Sequence, residues 1–571
     1  MDSLGVQDMM KQEYPDRGIP LPPTVTRGQC VDNLSGLRDS LLSLKGGVSP
    51  GTGGMRNEYL TCLAEVWEGA DMMLLEQFGM RYLTGQLPPW WYRVWLSVTT
   101  VPLFKDTGAI RPVGIEPSLV RNYHKDVNRV NRPVLARFFE PQQLALSVGG
   151  ATKLVNSVRM LIEANPDFVV VKGDIQNAFN SVSRSKILKV LNEEESLKHL
   201  VWHAALSLSS PSALETGGKV WGEACEGVVQ GDPESGSYFS VAWHPHIRDL
   251  DRQMAAVGGA VRAGMDDFFA IGPPEVLFPA LERFWQEVAE SCLLRLERSK
   301  TQVFTWSGQL PLSTTPGYPR AGTMVDGEFL PGFLCYGIPV GTPGYVRHQL
   351  DVKVQEIGKE VQEIVKVLEE EGQAIWTIAR ASTAMKLDYH LSLCYPTDME
   401  YAARMMDDIL CNMLEKAALL SIPRVDEGRG LEHCPSLPVR RLQQRSYQDW
   451  MVRMPVRLGG MGLRSVADTS LAAYIGGLEQ ALPHFVGEGG LCPQLQPVLG
   501  DMASPSTRWR GLITSGCRTG EEMIWAWQTL MREAEESCAF LGTDMADSLN
   551  IDAEGAGHSS MDGSTRRRIT T

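Results

Sequence analysis

Two adjacent carboxylates, Asp266 and Asp267, stand inside an apolar, β-forming run, Val261-Arg262-Ala263-Gly264-Met265-Asp266-Asp267-Phe268-Phe269-Ala270-Ile271. Neighbouring negative charges in such a setting repel each other and lose hydration, so they require a positive partner. A hard divalent cation such as Mg²⁺, which prefers oxygen ligands, meets that need. A third carboxylate, Asp174, follows a second strand-like run, Phe168-Val169-Val170-Val171, after only Lys172 and Gly173. Brought together from neighbouring strands, the three acids could hold a metal pair for phosphoryl transfer.

The elements that must position these acids are legible as periodic patterns. Asp167 to Gly173 reads as a buried strand that turns at Asp174, and Val261 to Ile271 as a hairpin centred on the acidic pair. Upstream, Thr99–Phe104 and Ile110–Ile115 flank the turn Asp106-Thr107-Gly108. Helix-spaced apolar residues from Tyr59 to Trp67 follow the Gly-rich turn Ser49–Gly54, and Pro88-Pro89-Trp90-Trp91 interrupts that region. Residues 119–132 predict a helix carrying Arg121, Lys125, Arg129 and Arg132, opposed only by Asp126, with Pro133 as its expected end. Gly227 to Ser237 reads as a loop leading into an apolar segment. Beyond Gly341, Leu350, Val354, Ile357, Val361, Ile364 and Leu368 form the stripe of one core-facing helix. Residues 373–481 read as mostly helical, and the Gly-, Ser- and Asp-rich stretch 544–571 as a disordered tail.

Bulk properties bound the function. A 571-residue chain can build several domains, and its 43% hydrophobic content fits a globular protein. No apolar run is long enough to span a bilayer and residues 1–18 lack a secretion signal, so an intracellular location, nucleus or cytoplasm, is expected. Eleven cysteines, with no Cys-x-x-Cys pair, offer no zinc finger or knuckle. The net charge of -14 has the wrong overall sign for a nucleic-acid enzyme, which leaves binding to local basic patches.

Further blocks stand in order around the acids. Val101-Pro102-Leu103-Phe104-Lys105 and Arg111-Pro112-Val113 put cations on both sides of a turn. Asp174-Ile175-Gln176-Asn177-Ala178-Phe179-Asn180 precedes Gln230-Gly231-Asp232-Pro233-Glu234-Ser235-Gly236. Leu293-Leu294-Arg295-Leu296 with Ser299-Lys300-Thr301 follows the acidic pair, and Gly332-Phe333-Leu334-Cys335-Tyr336-Gly337-Ile338-Pro339-Val340-Gly341 closes the series. Each block alone has a plainer reading, such as a capping Asp with a core Phe or an ordinary surface turn. As an ordered set they resemble the reverse-transcriptase domain of non-LTR (LINE-type) retrotransposons over roughly residues 48–345. Leu458-Gly459-Gly460-Met461-Gly462-Leu463 is similar to a segment found beyond that domain in such elements.

The resemblance implies an α+β right-hand polymerase fold, with fingers, a palm built on an antiparallel sheet, a thumb, and a mostly helical region beyond. The expected division is an irregular extension at 1–46, fingers and palm at 47–345, a helical thumb or connection at 346–481, and a C-terminal region at 482–571. Asp174, Asp266 and Asp267 would hold two Mg²⁺ ions, with Mn²⁺ as a substitute. Lys105 and Arg111 would grip the triphosphate, and Phe179 would exclude a 2′-hydroxyl. Gln230 and Gly231 would face the nucleotide, and Lys300 would protonate the leaving pyrophosphate. RNA template, DNA primer and deoxynucleoside triphosphates are the implied partners, with no membrane.

Four residues depart from the family pattern: Asn180 where many members have Asp, Glu234 for Leu, Gly236 for Pro, and Gly264 for an aromatic two positions before the acidic pair. Two alternatives therefore stand beside the reverse-transcriptase reading. An RNA-dependent RNA polymerase shares the acidic hairpin, although Phe179 and the Gln-Gly-x-Pro block speak for DNA synthesis. A decayed or repurposed element that binds nucleic acid without polymerising is favoured by Gly264, Glu234, Gly236 and the acidic charge. It is opposed by the intact Asp174, Asp266, Asp267, Lys105 and Arg111.

Overall fold

The computed structural model describes residues 28–104 and 110–418, together with 9–10 and parts of 452–481. Lys105 and the turn 106–108, Gly459 of the Gly-Gly-x-Gly block, and the C-terminal stretch 482–571 lie outside the described residues. The fold mixes helices with mainly antiparallel sheets, and helices dominate its C-terminal part. Among the described residues, no helix is long and apolar enough to cross a membrane.

In chain order the first elements are α1 (Leu37–Leu42), α2 (Asn57–Val66), α3 (Ala70–Leu83), α4 (Pro89–Trp95), β1 (Val98–Phe104), β2 (Ile110–Ile115), α5 (Ser118–Phe139) and α6 (Gly150–Ala164). Next come β3 (Val169–Gly173), α7 (Ala178–Ser181), α8 (Arg184–Glu193), α9 (Val201–Leu208), β4 (Ser212–Thr216), β5 (Lys219–Ala224) and α10 (Ser235–Ala255). The series continues with β6 (Ala260–Gly264), β7 (Asp267–Gly272), α11 (Pro274–Cys292), β8 (Gln302–Phe304), β9 (Gly322–Val325), β10 (Glu328–Cys335) and β11 (Ile338–Gly341). The last helices are α12 (Pro343–Val367), α13 (Gly372–Ala381), α14 (Asp388–Leu391) and α15 (Pro396–Ala418).

The described residues fall into two compact units. Those within Met1–Gly150, Asp167–Val303 and Leu310–Pro319 form the first; those within Ala151–Pro166, Phe304–Gln309 and Arg320–Thr571 form the second.

The first unit is organised by two four-stranded sheets, ordered β2-β1-β4-β5 and β6-β7-β3-β8. Val169, Val170 and Val171 of β3 are all buried, as a central strand covered on both faces must be. Helix α10 packs on β6 and α11 on β7. Between them Trp243 meets Phe268, whose ring stacks on Phe284 at 5.3 Å. Burial of these aromatics makes this layer the rigid floor beneath the acidic turn.

Two expectations are corrected here. The stretch assigned to an irregular extension holds α1, which buries Leu37 and Leu41 in the core and so cannot be a loose arm. Pro133 does not end the basic helix, because α5 runs on to Phe139. The missing N–H and ring clash cost about 3 kcal/mol in a free helix, and burial of Leu135 and Phe139 beyond the proline offsets that.

In the second unit, β9, β10 and β11 form a three-stranded sheet ordered β11-β10-β9, followed by the long α12. Leu350, Val354, Ile357 and Val361 line the buried face of α12, which packs on α15. Helix α6 is tied in by the buried Arg159, which donates to the Leu393 carbonyl and lies 4.7 Å from the Tyr395 ring centroid.

Candidate active site

Strand register decides whether the three acids meet. β3 pairs antiparallel with β7, placing Gly173 opposite Phe268, and β7 pairs with β6, placing Gly264 opposite Asp267. Asp174 is the first residue past β3, so it arrives beside Asp267, while Met265 and Asp266 make the connecting turn.

The charges act on one another. Burial by surrounding protein pushes the Asp266 carboxyl above the ordinary Asp range although its side chain still opens to solvent; Asp267 and Asp174 push the same way, and Arg111 opposes them. Burial likewise raises Asp267, with Lys172 opposing and Asp174 adding to the rise. Arg111 is exposed on β2, opposite Leu103. Its charge, that of the cation expected to grip a triphosphate, is felt by Asp266. These are oxygen donors on strand ends with one face to water, which suits a hydrated hard cation such as Mg²⁺.

Asp174 is held from both sides by the segment that follows α11. The Asp174 N–H donates to Thr301 Oγ1 at 3.3 Å, and the Glu297 N–H donates to the Asp174 carbonyl at 2.8 Å. Gln176 N–H donates to the Arg295 carbonyl at 2.8 Å. The block around Lys300 therefore positions the backbone of Asp174. Lys300 itself is exposed, and its charge is felt by Glu297.

The acidic turn has its own brace, which the sequence did not reveal. Met265 adopts a left-handed φ of 58°, costly for a side chain with a Cβ. Gln143 clamps it: the Met265 N–H donates to Gln143 Oε1 at 2.6 Å, and Gln143 Nε2 donates to the Met265 carbonyl at 3.2 Å. The neighbouring chain pairs with β6 through Ala263 N–H to the Gln142 carbonyl at 2.7 Å and Leu144 N–H to the Ala263 carbonyl at 2.8 Å. A lone Gln carries no pattern that marks it. Only the fold brings it under the turn.

The Gln230-Gly231 loop docks on β2, where Gly114 N–H donates to the Gln230 carbonyl at 2.7 Å. Gly231 has φ 127°, and a Cβ there would sit 2.3 Å from the Gly114 carbonyl oxygen, so this position requires glycine. Phe179 is half-buried and stacks on Phe239 of α10 at 5.0 Å. The Val228 N–H donates to the Phe179 carbonyl at 2.7 Å, joining the loop to the segment that starts at Asp174.

Two of the departures acquire physical roles. Glu234 does not face phosphates: it is buried and accepts from His203 Nε2 at 2.8 Å and from the Tyr238 hydroxyl at 3.2 Å. Gly236 leaves room for Met265, whose Cε would lie 2.7 Å from any Cβ placed there. Gly264 is buried in β6, opposite Asp267.

The basic helix is less available than its charge implies. Arg121 donates to Ser49, Asn57 and Ser118, Arg129 pairs with Asp126 at 3.2 Å, and Arg132 donates to the Leu146 carbonyl at 2.8 Å. Elsewhere in the same unit, His124, His203 and Glu234, and Glu116, His124 and Asp232, form overlapping triads whose donor atoms lie within 4.8 Å of one another and could bind a metal.

No family model matches the chain, and no curated protein matches it by sequence. Among solved structures it is similar to telomerase from Candida albicans in complex with a TWJ fragment of telomeric RNA, at 10% identity and a TM-score of 0.34. That match covers 73% of this chain and 66% of the telomerase chain, just under two thirds of the latter.

Proposed function

We propose that the chain is an RNA-directed DNA polymerase of the non-LTR reverse-transcriptase kind, extending a primer 3′-hydroxyl with deoxynucleotides on an RNA template. The observation that supports this reading is the register of β3, β7 and β6, which sets Asp174 beside Asp267 and next to Asp266 in the turn, where the charge of Arg111 acts on Asp266. In the proposed mechanism the three carboxylates hold two divalent ions. When bound, these ions make the attacking hydroxyl more acidic and offset charge on the departing pyrophosphate.

The chain's own residues do the rest. Arg111 neutralises and orients the triphosphate, a task its planar, multiply donating guanidinium suits. Gln143 and Thr301 hold the turn and the Asp174 backbone, so the carboxylates are preorganised before substrate arrives. The Gln230-Gly231 loop, fixed on β2, lines the nucleotide's approach, and Phe179 excludes the ribose hydroxyl.

Gly264, directly opposite Asp267, favours the second reading, a nucleic-acid-binding protein without polymerase activity, because it offers no ring beneath a primer end. Primer extension on an RNA template with Mg²⁺ tests both. Incorporation of deoxynucleotides over ribonucleotides, abolished by Asp266→Ala, is the expected result. Incorporation no greater than that of Asp266→Ala, with template binding intact, would establish the binding-only reading instead.

A further inference from the structure

The buried acids around His124 form a second centre that neither strand ends nor nucleotide chemistry explains. Glu116 lies in the link from β2 to α5, His124 on α5, His203 on α9, and Asp232 and Glu234 in the loop that begins α10. Glu116, His124, His203 and Glu234 are all at least nine-tenths buried. Three carboxylate oxygens converge on one ring nitrogen: His124 Nδ1 lies 3.2 Å from Glu116 Oε2, 3.1 Å from Asp232 Oδ1 and 3.7 Å from Glu234 Oε2.

A single imidazole N–H makes one good hydrogen bond, and here the geometry gives it to Asp232. Glu116 Oε2 is left buried with no hydrogen bond, aimed at the same point. Such an oxygen is costly unless a cation takes it. The spacing offers one: ligands on a tetrahedral ion with bonds of about 2.0–2.1 Å stand about 3.3–3.4 Å apart, close to the 3.2 Å and 3.1 Å that separate His124 Nδ1 from Glu116 and Asp232.

We propose that His124 Nδ1, Glu116 and Asp232 bind one divalent transition-metal ion of the Zn²⁺ class, with Glu234 beside them as a buttress. One imidazole among carboxylates selects such an ion over Mg²⁺, which takes oxygen donors. The supporting bonds have the form that a metal-ligating histidine requires. His124 Nε2 lies 3.0 Å from the Tyr82 hydroxyl and would donate to it, leaving Nδ1 free to ligate. His203 Nε2 donates to Glu234, fixing that carboxylate, while Asp232 also receives the Glu234 N–H at 3.1 Å and Ser235 Oγ at 3.1 Å. The ion would rivet the loop carrying Gln230 and Gly231 to α5, a structural role independent of any polymerase activity.

The test uses the full chain, stripped with a chelator, loaded with Zn²⁺, dialysed, and assayed for metal content and thermal stability. One retained equivalent is expected in the wild type and in Asp174→Ala/Asp266→Ala, which removes the other acidic centre. His124→Gln and the nearly isosteric Glu116→Gln are each expected to weaken Zn²⁺ binding by about 10–100-fold and to lose the Zn²⁺-dependent gain in melting temperature. Should His124→Gln fail to fold, Glu116→Gln carries the comparison. Absence of a retained equivalent in the wild type overturns the proposal, as does retention unchanged by Glu116→Gln; either result leaves a metal-free ion-pair network.

Discussion

The first unit contains two acidic triads that solve the same electrostatic problem in different ways. Asp174, Asp266 and Asp267 stand at strand ends, open on one side, with Arg111 and Lys172 as counter-charges. Glu116, Asp232 and Glu234 are enclosed and share two imidazoles. Without a bound ion, burial alone would lower the His124 pKa, but Tyr82, Glu116, Glu234 and the hydrogen bond that the ring donates to Asp232 outweigh it and hold the ring well above its ordinary value. The open triad keeps unspent negative charge for something that arrives from solvent. The closed one uses its charge inside the protein. An open acidic cluster is thus a site for exchange, and a closed one a fastener.

Removing one acid should separate the two most sharply. Asp266→Ala is expected to reduce primer extension to background while leaving the melting temperature within about 2 °C, because an exposed turn residue contributes little to stability. A steep fall in melting temperature would mean that the open triad is also structural. The opposite pattern is expected of the closed cluster. His124→Ala leaves three buried carboxylates facing one another and should destabilise the first unit by about 3–5 kcal/mol, read from urea unfolding. Unfolding midpoints that match the wild type would remove the fastener interpretation.

The difference also explains what the sequence could and could not reveal. Asp266 and Asp267 were visible because a β-forming apolar run surrounds them, and Asp174 because it follows a valine run; both patterns follow from strand burial. The hairpin Ala260–Gly272 and the stripe of α12 were legible for the same reason. The closed cluster was not, since its members come from four separate stretches and each alone looks like an ordinary polar residue. Glu234 looked like a defect in a nucleotide loop and is instead its anchor. Pro133 misled because local propensity, read without the core beyond it, predicts a helix end.

Gln143 tests how far the open triad depends on positioning rather than charge. Gln143→Ala removes both hydrogen bonds that brace Met265 and should lower kcat by about 10²-fold, the effect of a displacement near 1 Å at a reacting centre. The KM for the nucleotide should stay near the wild-type value, because Arg111 is untouched. An unchanged kcat would show that β6 and β7 hold the turn without help. Arg111→Ala should give the converse, a larger change in nucleotide KM than in kcat.

The smallest effect concerns protons on Asp267. Burial raises its folded pKa and Asp174 adds to the rise, so in the window above the unfolded value of about 3.9 the native state binds more protons than the unfolded chain. Stability contributed through this group is therefore present at low pH and declines as pH rises through the raised pKa. Asp267→Asn cannot ionise and should be more stable than the wild type at pH 7 without divalent ions. The gain should be no more than about 0.5 kcal/mol, given the partial exposure to solvent, and should vanish near pH 4. Added Mg²⁺ should reverse the order at pH 7, because only the wild type retains the full carboxylate set and gains from binding. Urea midpoints at the two pH values, with and without Mg²⁺, make the comparison. An asparagine variant that stays more stable in saturating Mg²⁺ would mean that Asp267 does not take part in holding the ion, leaving Asp174 and Asp266 as its ligands.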